Sequence, residues 1–129
     1  LDELSDGYER TLEQVVPSAT YTVVVQPPPG APDLQTCVTT VGEPQDCLGT
    51  ISGPFAAISE AERTAAQDAG TSYIESESWF CRGDRCPGFV GTTPVYAEGN
   101  HLTVAYATEL GPVLREALDN AAEVAQRTR

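Results

Sequence analysis

Four cysteines in two close pairs constrain the fold of this chain more than any other sequence feature. Cys37 and Cys47 share one segment rich in glycine and proline, and Cys81 and Cys86 share another. Pairing within each segment is the favoured one of three connectivities, and closing such short loops contributes roughly 2–3 kcal/mol each. A zinc site and free thiols are the alternatives, although this spacing is poor for a zinc ribbon. We therefore expect two disulfides and an oxidising, extracytoplasmic location.

Length and charge limit the remaining possibilities. A chain of 129 residues predicts a single domain over 1–129. Seven arginines, no lysine and 19 acidic residues give a net charge of −12, which disfavours nucleic acid and anionic lipid as partners. No apolar run reaches the roughly 20 residues of a membrane-spanning helix. No cofactor or metal motif is evident, and the start at Leu1 suggests a piece of a longer protein.

Apolar spacing predicts alternating helices and strands. Helices are expected over 1–15, over 55–69 and from Thr103 onward, where Thr103 can cap the helix and Gly111-Pro112 should kink it. Strands are expected over 21–26, which reads as fully buried, and over 71–76. This order favours crossover connections and a parallel sheet. Because only two strands are convincing, we predict a partial α/β domain.

The single histidine is the best candidate for catalysis. His101 lies just before the last predicted helix, whose amino-terminal dipole disfavours a protonated ring and keeps the imidazole available as a base. Glu98 lies three residues earlier across Gly99, near enough to orient the imidazole as the acid of a triad does. The Glu-x-x-His pattern is weak alone, since acidic residues are frequent here. A half-exposed loop histidine without a catalytic role is the alternative.

The surrounding sequence resembles a known family. Its block contains Trp79-Phe-Cys81, a short loop to Cys86-Pro87, and Glu98-Gly-Asn-His101-Leu-Thr103. This block is similar to the C-terminal end of SGNH-type hydrolase domains, in particular those fused to bacterial membrane acyltransferases. The likeness extends more loosely over about residues 1–118. It implies a partial three-layer α/β/α domain with parallel strands, in which a D-x-x-H element precedes the last helix.

The resemblance also implies a function, with two departures. It assigns His101 as the base and Glu98 as the acid of a Ser-His-acid mechanism, with Glu98 where the family has aspartate. The family's Gly-Asp-Ser nucleophile motif is absent from the chain, so the matching part lies after it. The implied reaction moves acetyl or short acyl groups from an acyl donor to a carbohydrate acceptor at the cell surface. The implied partner is an upstream membrane acyltransferase domain or a complementary segment carrying the serine.

Three further expectations concern binding. Trp79 and Asn100 are candidate substrate-binding residues, although packing in the core is the more common role for a Trp-Phe pair. Arg82 and Arg85 flank Gly83-Asp84 in the small cysteine loop, where we expect an ion pair with Asp84, with an anionic substrate group as the alternative. A small secreted, disulfide-stapled binding or structural module without catalysis is the alternative function, and Glu98 in place of aspartate favours it.

Overall fold

The structure is a computed structural model that describes residues 2–32, 34, 35, 37 and 43–128. It is a mixed α/β fold. The helices are α1 (Asp2–Val15), α2 (Gly53–Asp68), α3 (Glu77–Phe80) and α4 (Val104–Arg127). The strands are β1 (Val23–Val25), β2 (Gly49–Thr50), β3 (Ser72–Ile74), β4 (Arg85–Cys86), β5 (Phe89–Val90), β6 (Thr93–Pro94), β7 (Tyr96–Glu98) and β8 (His101–Leu102). Short 3-10 turns cover Val16–Ser18 and Pro44–Cys47.

The described residues form two compact units. The helical unit contains the described parts of 1–27, 53–75 and 113–129, and the hairpin unit those of 28–52 and 76–112. None of the helices in the described ranges has the length and apolar character needed to cross a bilayer.

The helical unit is built on two parallel strands. β1 pairs with β3 in the register Val23↔Ser72 to Val25↔Ile74, which confirms the predicted parallel pair. The connection runs through α2, as parallel strands require a crossover. Gly70 adopts φ +67°, a conformation that favours glycine, and ends the segment after α2. α1 ends at Val15, and Pro17 lies in the 3-10 turn Val16–Ser18 that follows it, as expected for a residue that cannot continue a helix.

The interior of the helical unit combines small side chains with a polar cluster. Ala65 and Ala66 are fully buried. Glu62 is also buried, and its carboxylate accepts hydrogen bonds from the Tyr8 hydroxyl at 2.7 Å and the Tyr73 hydroxyl at 3.3 Å. Burial, reinforced by the neighbouring Glu62 charge, raises the pKa of Tyr8 and that of Tyr73 to about 12.

Two details of the sequence prediction are wrong in this unit. The strand expected over 21–26 spans only Val23–Val25, and its side chains are not fully buried, since Val25 is 40% exposed. A continuous apolar run is typical of a strand inside a sheet that is covered on both faces. In the described residues β1 pairs with β3 alone, in a sheet of two strands. The apolar stripe of α1 is also only partly used, because Leu12 is buried but Leu4 is exposed.

The hairpin unit consists of short antiparallel pairs held by an aromatic core. β2 pairs with β4, β5 with β6, and β7 with β8. The core cluster contains Phe80, Val95, Tyr96 and Tyr106, with the Phe80 ring centroid 6.2 Å from that of Tyr96 and 5.9 Å from that of Tyr106. The Tyr106 hydroxyl donates to the backbone carbonyl of Trp79.

The start of α4 follows the prediction. The Thr103 hydroxyl accepts a hydrogen bond from the Tyr106 amide at 3.1 Å, which is the geometry of an N-cap. The same hydroxyl donates to the Pro94 carbonyl at 2.6 Å, which ties the helix start to β6. The helix then continues through Pro112 to Arg127.

Candidate active site

A tight hairpin brings the two predicted catalytic side chains together. Glu98 and His101 are register partners in β7 and β8, with Gly99-Asn100 as the connecting turn. Gly99 has φ +51°, which a glycine adopts without strain at the first position of a two-residue turn. Directly opposite residues of an antiparallel pair share one face of the sheet. The local fold therefore places carboxylate and imidazole side by side.

The contact between them involves a specific ring nitrogen. Nδ1 of His101 lies 3.4 Å from Oε1 of Glu98, and the side chains are 76% and 81% exposed. The distance is longer than that of an ordinary N–H···O hydrogen bond. Catalytic hydrogen bonds are often long in unliganded sites and shorten in the substrate complex. A carboxylate at Nδ1 favours the tautomer whose Nε2 lone pair is available to accept a proton.

A cleft of about 420 Å³ lies against the turn of this hairpin. It is lined by Gly99 and Asn100, by residues 29–32 and by residues 48–50. This volume falls in the range of small-molecule sites, roughly 300–1,000 Å³. The lining residues Pro29, Gly30, Ala31, Pro32, Leu48, Gly49, Thr50, Gly99 and Asn100 carry no charge. The geometry suits an uncharged, partly polar group.

The wall formed by residues 29–32 is fixed by contacts to the hairpin. The Gly30 amide donates to the Tyr96 hydroxyl at 3.2 Å. Gly30 has φ +81°, and a Cβ there would lie 3.7 Å from Cβ of Asn100, so the wall passes close to the turn. Burial raises the pKa of Tyr96 to about 12.

Of the two predicted substrate-binding residues, Asn100 lines the cleft and Trp79 does not. Trp79 is half-buried against the cluster of Phe80, Val95, Tyr96 and Tyr106. His101 lies in β8, two residues before the Thr103 cap, which agrees with its predicted position just before the last helix.

The four cysteines form the two predicted disulfides. Cys37 is bonded to Cys47 and Cys81 to Cys86. The zinc-site alternative is therefore wrong for these residues. In the part of the chain that the structure describes, no group of three or more His, Cys, Asp or Glu residues is arranged to hold a metal ion. The disulfides indicate an oxidising environment.

Apart from Asn100, sequence reasoning did not predict the residues that line the cleft. The wall at residues 29–32 and β2 at Gly49–Thr50 come from stretches without a helix or strand period. The contact between Gly30 and Tyr96 joins positions 66 residues apart. The glycine after three prolines was the one available signal, since it marks a sharp change of chain direction.

The fold and the site define a mixed α/β domain with a carboxylate–imidazole pair, a class that includes hydrolases and acyltransferases. A family model described as SGNH domain (fused to AT3 domains) matches residues 1–116. The match covers most of the chain, which therefore belongs to the SGNH domain family, as its sequence resemblance predicts. The family suggests a hydrolase or acyltransferase-type module. Comparisons with curated proteins and with solved structures give no match.

Proposed function

We propose that this chain is the C-terminal part of an extracytoplasmic SGNH-type O-acyltransferase or esterase domain. His101 is the general base, Glu98 orients it, and the serine nucleophile comes from a Gly-Asp-Ser segment outside these 129 residues. Residues 1–129 belong to one domain, which has three α/β/α layers when complete and in which β1 and β3 are two of the parallel strands. The contact of Glu98 Oε1 with Nδ1 of the chain's single histidine is the observation that carries this proposal.

The chemistry follows from the free Nε2 of His101. This nitrogen takes the proton of the serine hydroxyl as the oxygen attacks the acyl carbonyl, and Glu98 stabilises the imidazolium. The imidazolium then gives its proton to the departing donor oxygen, leaving an acyl-serine ester. A sugar hydroxyl, or water, loses its proton to Nε2 and attacks that ester. The serine leaves with the proton from the imidazolium, which restores the starting state.

Donor, acceptor and location are inferred from family and disulfides. The family description names fusion to AT3 domains, which supports an upstream membrane acyltransferase as the source of acetyl or short acyl groups. The disulfides support a site on the oxidising side of the cytoplasmic membrane. The acceptor is a carbohydrate of the cell surface, contacted by Asn100 in the cleft and, in the complete domain, by Trp79.

One observation favours a second candidate, the disulfide-stapled binding or structural module. Both Glu98 and His101 are largely exposed, whereas the acid of a working triad is buried. In the proposed function the serine-bearing segment covers this pair. In the alternative nothing covers it and the pair has no chemical role.

The test uses the protein in which this chain is joined to a Gly-Asp-Ser segment. His101→Ala should reduce acyl transfer by about 10⁴-fold or more, because removing the base of a triad leaves only binding and oxyanion stabilisation. Glu98→Gln should reduce transfer by a smaller factor, and Glu116→Gln, on exposed α4, should leave it unchanged.

The isolated chain provides the complementary measurement. It should hydrolyse nitrophenyl acetate no faster than free imidazole at the same concentration, because the serine nucleophile is absent and an exposed histidine alone attacks this ester only slowly. Hydrolysis by the isolated chain that is far faster than that of free imidazole, and that is lost in His101→Ala, would contradict the assignment of the serine to another segment. Full transfer activity in the joined His101→Ala protein would contradict the role of the histidine.

A further inference from the structure

The small disulfide loop displays two arginines side by side. Arg82 and Arg85 form an antiparallel bridge in which each amide donates to the other's carbonyl, at 2.8 and 3.3 Å. Gly83, with φ +63°, and Asp84 make the turn, and the Cys81–Cys86 disulfide closes the loop. Because bridged residues share one face of a hairpin, the two arginine side chains leave the backbone on the same face.

Neither arginine forms an ion pair within the described chain. Both side chains are exposed, and the ion pair expected with Asp84 is absent from the contacts of the described residues. Arg63 and Arg127, by contrast, each form ion pairs with glutamates. Like charges placed directly opposite each other destabilise a hairpin. An anion held between the two guanidinium groups removes that repulsion.

The strand pairing of β2 with β4 places the arginine pair next to a residue of the cleft. Arg85 in β4 pairs with Thr50 in β2, and the Ile51 amide extends this ladder by donating to the Asp84 carbonyl at 3.1 Å. Thr50, Arg85 and Arg82 are thus consecutive cross-strand neighbours and share an exposed face. Thr50 also lines the cleft beside the Gly99-Asn100 turn. The row leads from the cleft to the two arginines.

Charge distribution makes this row distinctive. The whole chain has a net charge of −12, which repels anions in general. Both arginines of the hairpin unit, residues 28–52 and 76–112, are in this one loop. The cleft lining is uncharged. A ligand that satisfies both features has a neutral part for the cleft and a negative group for the arginines.

We propose that the cleft and the Arg82–Arg85 pair together bind an anionic saccharide, with the sugar ring in the cleft and its carboxylate or phosphate on the two guanidinium groups. This inference rests on the proposed function, because it assigns the acceptor of the acyl group to the class of acidic glycans. The acceptor hydroxyl is held near the turn that carries Glu98 and His101, while the charge is held at the far end of the row.

The test measures binding to the isolated chain by NMR titration and calorimetry, since binding needs no serine. Trigalacturonic acid provides carboxylates, N-acetylglucosamine 1-phosphate provides a phosphate, and neutral chitotriose is the uncharged control. At least one acidic sugar should bind and shift the amides of Gly49, Thr50 and Asn100, and the one that binds identifies the anionic group. Chitotriose should bind at least about fivefold more weakly, and added salt should weaken acidic-sugar binding.

Variants sharpen the assignment. Arg82→Gln and Arg85→Gln should each lower the affinity for the acidic sugar by about fivefold, the upper size of a solvent-exposed ion pair. Asp84→Asn is the matched control in the same turn, and it should increase the affinity about twofold because it removes a negative charge beside the ligand. Arg115→Gln, on α4, should have no effect.

Several results would overturn the inference. One is that chitotriose binds as tightly as the acidic sugars. Another is that both arginine variants bind the acidic sugar as tightly as the wild type. A third is that inorganic phosphate alone binds as tightly as the sugar phosphate and no amide of the cleft shifts. Failure here is distinct from failure of the proposed function. Loss of transfer in His101→Ala without acidic-sugar binding rejects only the acceptor class. Binding together with full transfer in His101→Ala rejects the catalytic roles and leaves a saccharide-binding site.

Discussion

The two units of this chain obtain their order in different ways. The helical unit has small buried side chains such as Ala65 and a polar cluster around Glu62. The hairpin unit has strands of two or three residues, an aromatic cluster around Phe80 and two disulfides. Such short strands supply few backbone hydrogen bonds, so aromatic packing and covalent links must position the hairpins. The candidate site is built on the unit with the least regular structure.

The largest loss of stability is expected from a substitution that disrupts the aromatic cluster. Phe80→Ala should lower the free energy of unfolding by about 3–5 kcal/mol, because Phe80 is 5% exposed and contacts the rings of Tyr96 and Tyr106. Chemical denaturation measures the loss. Phe89→Ala is the matched control at a half-buried position in β5 and should cost clearly less. Equal losses in the two variants would show that the cluster does not hold the hairpin unit.

A smaller effect, a change in tyrosine pKa values, distinguishes the polar cluster around Glu62 from the aromatic cluster around Phe80. In Glu62→Gln the pKa of Tyr8 and that of Tyr73 should fall from about 12, because the Glu62 charge adds to the effect of burial there. The pKa of Tyr96, raised by burial first, should stay at about 12. Ultraviolet titration of tyrosinate, with Tyr→Phe variants to assign each step, measures these values. A pKa of Tyr8 unchanged by the substitution would contradict the role of Glu62.

The same pKa values fix the sign of the alkaline stability change. A phenol whose pKa is higher in the folded state than its ordinary value of 10 stabilises the fold below pH 10. That contribution is lost as the pH rises from 10 to 12. The free energy of unfolding of the wild type should therefore fall over this interval. In Glu62→Gln the fall should be smaller, because Tyr8 and Tyr73 of the helical unit then have less strongly raised pKa values.

Sequence patterns predicted the two units to different extents. Apolar spacing identified α1, α2 and α4, because these helices are long enough to show a period. The parallel strands were identified because the first of them is rich in β-branched residues. It overestimated the burial of β1, since Val25 is exposed. The two-residue strands of the hairpin unit are too short to show any alternation, so the cleft wall at Gly30 and the row from Thr50 to Arg82 were not predicted.

The candidate site was predicted by other signals. Loop closure predicted the pairing of the cysteines, and the block from Trp79 to Thr103 predicted the family. The proximity of Glu98 and His101 follows from a three-residue spacing across a glycine. The expected ion pair of Arg82 or Arg85 with Asp84 was wrong for the described residues, where Arg82 and Arg85 instead face each other across the bridge at the base of the turn that contains Asp84.

The central claim is that Glu98 prepares the imidazole of His101 as a base, and the tautomer of that ring tests it most directly. Since the chain contains one histidine, its ring nitrogens can be observed by NMR without ambiguity in the isolated chain. The account predicts a neutral ring protonated mainly on Nδ1, shifting toward Nε2 protonation in Glu98→Gln but not in Glu116→Gln. A wild-type ring protonated mainly on Nε2, and unchanged by Glu98→Gln, would contradict it.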